Sequence, residues 1–201
     1  MKLVSAARNI ALAAGLALSL SACGINSVPT AEENAKAKWA DVEAQFQRRA
    51  NLIPNLVEVT QGAAENERAI LTEVTEARAR ATSINVSADD LGDAGKMQEF
   101  AAAQGQLSQG LGRLLASFEA YPTIQSNQNY LALQSQLEGT ENRIAVAIRD
   151  YNEAVRQYNT TIRTFPDIIG ANIIHGADPL APYEAATEGA EVAPDIDMTS
   201  N

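Results

Sequence analysis

The sequence contains few of the residues from which catalytic and metal sites are usually built. It has one cysteine, one histidine and one tryptophan, and aromatic residues make up only 5% of the chain. A single cysteine cannot form an intramolecular disulfide or supply a cysteine cluster for a metal. A nucleophilic site with a histidine base would depend on His175 alone. We therefore predict no metal, no cofactor and no catalytic residue.

Positive charge is also scarce. The chain has 15 Lys and Arg residues against 25 Asp and Glu residues, a formal net charge of −10. Nucleic-acid binding through counterion release requires a basic face. The composition therefore argues against a nucleic-acid partner.

Carboxylates are plentiful, but their spacing indicates no particular reaction. Asp89, Asp90 and Asp93 lack the alternate spacing and distal glutamate of a calcium loop. Paired carboxylates could cleave the glycosidic bonds of peptidoglycan, yet no pair has a diagnostic setting. A carboxylate-dependent cell-wall enzyme is therefore kept as the alternative to a non-enzymatic protein.

The N-terminus has the pattern of a secretory signal. Lys2 and Arg8 precede an uncharged apolar run, and small residues follow it. The last four positions, Leu20, Ser21, Ala22 and Cys23, resemble the lipobox of bacterial lipoproteins. That resemblance implies cleavage after residue 22 and acylation of Cys23, which would hold the chain at a membrane. The alternative is an uncleaved membrane helix over residues 9–28, which is short for a span.

The expected mature chain is more acidic than the precursor. Loss of residues 1–22 removes Lys2 and Arg8, so the formal charge becomes −12 instead of −10. Anionic lipid repels such a body, so we expect the lipid on Cys23 to hold it. By resemblance to other lipoproteins, Gly24 after the cysteine favours the periplasmic leaflet of the outer membrane if two membranes are present. Residues 23–34 are predicted to be a tether.

The rest of the chain predicts an all-α fold. Trp39, Val42, Phe46 and Ala50 mark a helix from about residue 31 to 51, for which Thr30 and Glu33 could form a capping box. The apolar period continues past Pro54, which favours one kinked helix to residues 81–84. Two helices joined by a short break are the alternative. A loop at 85–95 and a helix at 96–121 follow.

A long amphipathic helix is predicted from Asn127, its N-cap, to Pro166. Two apolar series repeat every seventh residue, namely Leu137, Ile144, Tyr151, Tyr158 and Phe165, and Ile148, Val155 and Ile162. The sequence YNEAVRQ at 151–157 is echoed by YNTTIRT at 158–164. We interpret these Tyr–Asn pairs as a structural register device, with a ligand-binding surface as the alternative.

The C-terminal part divides into two predicted segments. Ile168, Ile169, Ile173 and Ile174 are apolar enough to dock on the helices. From Gly176 onward the sequence is rich in Ala, Pro, Glu and Asp, which is typical of a disordered acidic tail. Residues 167–201 are thus predicted to be a docking segment and a flexible tail.

Several long blocks resemble the LemA family: QRRANLIPNLVEV at 47–59, LTEVTEARARA at 71–81, residues 115–152, and VRQYNTTIRTFP at 155–166. The resemblance implies an antiparallel bundle of three to four long helices over residues 35–166. It also implies an N-terminal anchor and a position outside the cytoplasm in the bacterial envelope. Family members commonly use an uncleaved membrane helix, whereas this chain has a lipobox. The family has no established biochemical activity, so we expect a scaffold or adaptor for another envelope protein.

Two polar surfaces are candidates for binding that partner. The first lies beside the proline break and consists of Arg48, Arg49, Asn51 and Asn55. The second is a stripe of Arg149, Arg156 and Arg163, which share the seven-residue period of the long helix. A structural role, as a solvated face or in ion pairs with glutamates, is the alternative for the stripe. A membrane-shaping or lipid-binding bundle is a third functional hypothesis.

Overall fold

The computed structural model describes the backbone of residues 2–61 and 67–185, and the side chains of residues 26–60 and 67–185. Six α-helices and no strand occur in these ranges, which confirms the predicted all-α class. The helices are α1 (Lys2–Gln61), α2 (Arg68–Ser83), α3 (Ala94–Phe118), α4 (Pro122–Gln125), α5 (Gln128–Thr161) and α6 (Asp167–Gly170). A 3-10 turn spans Ala88–Asp90, and a π-helical turn spans Ala171–His175.

Helices α1, α2, α3 and α5 form a bundle. Along α1, the residues Trp39 and Arg49 meet Tyr151 and Glu141 of α5, so α1 and α5 are antiparallel. Helices α2 and α3 are also antiparallel. One of the core clusters contains Trp39, whose ring lies 5.4 Å from that of Phe100 and 5.1 Å from that of Tyr151, and a second contains Leu56 and Phe118. Helix α3 was predicted at 96–121, and the side that it buries includes Met97, Phe100, Leu107, Leu111, Leu114 and Phe118.

Helix α1 is continuous through Pro54, as predicted, but it does not run on to residues 81–84. Instead α2 folds back along α1, and Arg78 Nε donates a hydrogen bond to the carbonyl oxygen of Ala50 at 2.7 Å. Residues 28 apart in one straight helix would be about 42 Å from each other. Both segments bury one face, so the same apolar period fits a long helix and a helical hairpin. The structure thus corrects the predicted single helix.

The N-terminal part of the described side chains also differs from the prediction. Residues 26–34 are helical rather than an irregular tether, and Val28 is fully buried against Tyr158, Ile162 and Ala171. Thr30 lies inside α1 and donates to the carbonyl oxygen of Asn26 at 2.6 Å. It therefore does not cap a helix with Glu33. Contact with α5 is what orders this part of the chain.

Of the two ends predicted for α5, the N-terminal end agrees with the structure and the C-terminal end does not. Asn127 is the predicted N-cap, and its side chain accepts from the amides of Asn129 at 2.9 Å and Tyr130 at 3.4 Å. At the other end the helix stops at Thr161, five residues before Pro166. The apolar series is buried as far as Tyr158, but Phe165 is 74% exposed. The heptad prediction fails at its last member because the helix has already ended.

Candidate interaction site: a tyrosine–asparagine clamp and the groove beside it

Residues 178–183, here called the strap, form a non-helical segment that follows the π-helical turn and lies against α5. The clamp that holds it consists of the two Tyr–Asn pairs of α5. Asn152 donates to the carbonyl oxygen of Tyr183 at 2.9 Å and accepts from its amide at 2.8 Å. Asn159 makes the same two bonds to Leu180, both at 2.9 Å. Each asparagine side chain therefore pairs with the strap as a neighbouring β-strand would.

The two tyrosines of the clamp add one hydrogen bond each. The Tyr151 hydroxyl donates to the carbonyl oxygen of Ala181 at 2.8 Å, and the Tyr158 hydroxyl donates to that of Asp178 at 3.0 Å. Burial raises the pKa of both phenols above the ordinary value. Both therefore remain protonated donors across the physiological pH range.

The spacing of the clamp matches the spacing of the strap. One Tyr–Asn pair follows the other after seven residues of α5, and the main-chain groups that they bind are three residues apart. Seven helical residues rise about 10.5 Å, and three extended residues span about 10 Å. The repeat thus has a structural role, as predicted, but it aligns the strap rather than neighbouring helices.

The strap is part of the folded core. The Ala181 amide donates to the carbonyl oxygen of Leu91 at 2.8 Å. The buried Tyr183 ring lies 6.0 Å from Phe46 and 6.4 Å from Phe100, and burial raises its pKa to about 12. The predicted disordered tail is therefore wrong for residues 176–185, and residues 186–201 lie outside the described part. Composition suggested disorder, whereas Tyr183 was the available signal of burial.

A groove of about 490 Å³ lies between the strap and the C-terminal end of α5; Arg163, two residues beyond Thr161, is outside the helix, so the predicted arginine stripe is interrupted there. Arg156 and Arg163 line it together with Asn152, Asn159 and Pro182. Arg156 bonds Glu153, which lowers the pKa of that carboxyl group. Arg163 is exposed and has no salt-bridge partner in the described part of the chain. Arg149, the third member of the stripe, pairs with Asp150 and does not line the groove.

The other predicted surface is not a single surface. Arg48, Asn51 and Asn55 are exposed on α1, but Arg49 points into the bundle and is 1% exposed. Position 49, unlike position 48, falls on the three- and four-residue spacing of Phe46 and Ile53, so the apolar period was the available signal that Arg49 is buried. Arg49 is thus corrected from a surface residue to a core residue.

Arg49 connects three helices of the bundle. Its Nη1 donates to Ser108 Oγ at 2.6 Å and to Glu141 Oε1 at 3.0 Å. Its Nη2 donates to the side chain of Gln104 at 2.6 Å and to the main-chain oxygen of that residue at 3.2 Å. The guanidinium group also lies 5.0 Å from the centre of the Phe46 ring. A buried charge needs such partners, so this network is structural.

A cavity of about 310 Å³ lies near this network, between α1, α2 and α3. Glu43 is the carboxylic acid among its lining residues, and burial raises the pKa of that group. Glycoside cleavage usually requires two facing carboxyl groups. Among the side chains at 26–60 and 67–185, no cluster of three or more His, Cys, Asp or Glu residues could hold a metal.

The lipobox residues Leu20, Ser21, Ala22 and Cys23 lie outside the described side chains, so acylation of Cys23 stays a prediction. Among the described residues, no helix is both long enough and apolar enough to cross a bilayer.

The fold and the clamp together define a class of protein: an all-α bundle of four main helices, closed by a C-terminal strap. The LemA family model matches residues 38–198. The chain belongs to the LemA family, which confirms the resemblance in the sequence. The match extends past the bundle and includes the strap.

Curated relatives give the same assignment. Magnetosome proteins MamQ 1 and MamQ 2 of Paramagnetospirillum magneticum are each 33% identical to this chain over 157 residues. Magnetosome protein MamQ of Magnetospirillum gryphiswaldense is 31% identical over the same length. Each alignment covers 70% of this chain and 58% of the relative, so the chain spans under two thirds of these proteins.

Proposed function

We propose that this protein is a non-enzymatic scaffold of the bacterial envelope, anchored by lipid on Cys23, that binds an acidic segment of another envelope protein. The observation that carries the binding role is the groove of Arg156 and Arg163 beside the strap. The membrane is the first partner in this proposal, and the envelope protein is the second.

The charge distribution supports an acidic occupant. The chain has a net charge of −10, yet two arginines seven residues apart line this groove, Arg156 on α5 and Arg163 just beyond its end. Arginine binds carboxylates with two parallel hydrogen bonds, and Arg163 has no carboxylate bound to it within the described residues. Similarity to magnetosome proteins supports a role in a cellular assembly.

The anchor is tested by processing and membrane retention. Globomycin blocks cleavage of lipoprotein precursors, so the treated cells should accumulate the uncleaved chain. Cys23→Ser should lose its lipid and leave the membrane fraction in cells that process the wild type. Normal processing with globomycin, together with membrane retention of Cys23→Ser, would contradict the anchor.

The groove is tested by a charge reversal with a matched control. Arg163→Glu should lose crosslinking to envelope proteins that the tagged wild type captures. Arg143→Glu makes the same change on α5 but in a different groove, which Asp41 and Val146 also line. It should retain the captured proteins. Equal capture by both variants would refute the groove as the binding surface.

The alternative function, cleavage of peptidoglycan, has one supporting observation. Glu43 lines a cavity and has a raised pKa, as a general acid requires. The purified chain should then release muropeptides from sacculi, and Glu43→Gln should not. No release by the wild type would reject this alternative.

A further inference from the structure

Exposed apolar side chains are concentrated in one short segment. Six large hydrophobic residues are exposed among the described side chains, and four of them lie between residues 165 and 174. They are Phe165, Ile169, Ile173 and Ile174, here called the apolar edge. The first three are spaced four residues apart, and Ile169 and Ile173 lie on one face of the helical turns at 167–175. The predicted docking of Ile169, Ile173 and Ile174 on the bundle is thus wrong.

The apolar edge lies at the end of the bundle from which the N-terminal segment leaves. Ala171, between Ile169 and Ile173, is buried against Val28 of α1. Ser27 Oγ donates to Asp167 Oδ1 at 2.5 Å, which fixes the start of this segment on α1. Cys23 precedes Val28 by five residues, so the Cα atoms of these two residues are at most about 18 Å apart, even if the chain between them is fully extended. Acyl chains on Cys23 would therefore bring a bilayer surface to the apolar edge.

The distribution of charged residues also favours a bilayer as the surface that covers the apolar edge. Residues 168–177 contain no Asp, Glu, Lys or Arg, although the chain has 25 acidic residues. Uncharged apolar side chains enter the boundary between headgroups and acyl chains, whereas carboxylates are repelled by anionic lipid. Two acidic residues flank this stretch: Asp167 is bonded to Ser27, and Asp178 is held in the strap by Tyr158.

We propose that the apolar edge inserts into the interface of the same phospholipid bilayer that holds the lipid on Cys23. This inference rests on the proposed anchor. The acyl chains supply attachment, and the inserted side chains of Phe165 and Ile173 fix how the bundle is oriented on the membrane. With the acyl chains and the apolar edge both in the membrane, the bundle is restricted in its rotation, whereas a single flexible tether would leave it free to rotate.

Site-specific labelling can test this contact in the full lipidated chain. Once Cys23 is acylated, Ile173→Cys supplies a single free thiol for an environment-sensitive fluorophore. Leu131→Cys is the matched control, because Leu131 is an exposed apolar residue near the opposite end of α5. Both proteins are reconstituted into vesicles of phosphatidylethanolamine with a minor fraction of phosphatidylglycerol. Quenching by bromine-labelled acyl chains then reports contact with lipid.

The label at 173 should shift to shorter emission wavelengths and be quenched several-fold more than the label at 131. Flotation of the vesicles separates the two proposals. If the protein floats but both labels remain in water, the anchor stands and the insertion is wrong. If the protein does not float, both are wrong. Disulfide-linked dimers through residue 173, without lipid quenching, would show that a second copy covers the edge and would also overturn the insertion.

Discussion

The strongest prediction concerns Asn152, which binds both main-chain groups of Tyr183. Asn152→Ala removes two hydrogen bonds, each of which contributes about 1 kcal/mol in a typical case. The main-chain amide and carbonyl of Tyr183 can then bond only to water, because Asn152 is half-buried and no other side chain replaces it. The free energy that keeps the strap closed should fall by about 2 kcal/mol, which is about a thirtyfold change in the opening equilibrium.

Hydrogen exchange of the Tyr183 amide measures the opening equilibrium of the strap directly. The exchange rate in Asn152→Ala should rise by about thirtyfold if exchange occurs through strap opening. Asn142→Ala, at an exposed position of the same helix, should leave that rate unchanged. Asn152→Asp keeps the acceptor but places a carboxylate against the Tyr183 carbonyl, so its strap should open at neutral pH and close again as the carboxyl group is protonated. Unchanged exchange in Asn152→Ala would refute the role of the clamp.

Three further predictions concern the bundle. Arg49→Ala should lower the free energy of unfolding by about 2–4 kcal/mol, because it empties a buried position and removes the donor to Gln104 Oε1. Glu141→Gln should cost less, because it keeps an acceptor at a half-exposed site. Equal losses in urea unfolding would contradict this. Gly112→Ala should stabilise α3 by about 0.5–1 kcal/mol, because a Cβ there meets nothing within 4 Å. Gly110→Ala should gain less, because its Cβ would lie 3.4 Å from Val74; melting temperatures compare the pair. Folding raises the pKa of Tyr183 to about 12, so the stability that it contributes is present below pH 10, its ordinary pKa, and is lost as pH rises towards 12. Tyr183→Phe should reduce that alkaline loss in denaturation curves, and an identical pH dependence would argue against it.

Helical segments and their buried faces were accessible from the sequence because periodicity reports burial directly. The seam of α5 from Leu137 to Tyr158 and the core side of α3 are examples. The reversal of chain direction after α1 could not be predicted from the sequence, because a helical hairpin and a long helix have the same apolar period. The antiparallel arrangement of α1 and α2 was missed for that reason.

The candidate site was predicted only in part. The Tyr–Asn repeat and the arginines of α5 were identified, and the groove contains Arg156 and Arg163 as exposed residues. The strap was missed because residues 176–185 have a composition poor in large apolar residues, and their order comes from hydrogen bonds made by distant side chains. Arg49 was misplaced because its buried position depends on Glu141 and Gln104, which are far away in sequence.

Seven residues of α5 match three residues of the strap in length. A change in the number of residues in one of these segments therefore requires a matching change in the other. An insertion of one residue between Tyr151 and Tyr158 would rotate one pair by about 100° around the helix, away from its strap partners. An insertion of one residue between Leu180 and Tyr183 would present the wrong main-chain groups to Asn152. Insertions and deletions in either segment should therefore be tolerated only when a whole heptad in α5 is accompanied by three residues in the strap.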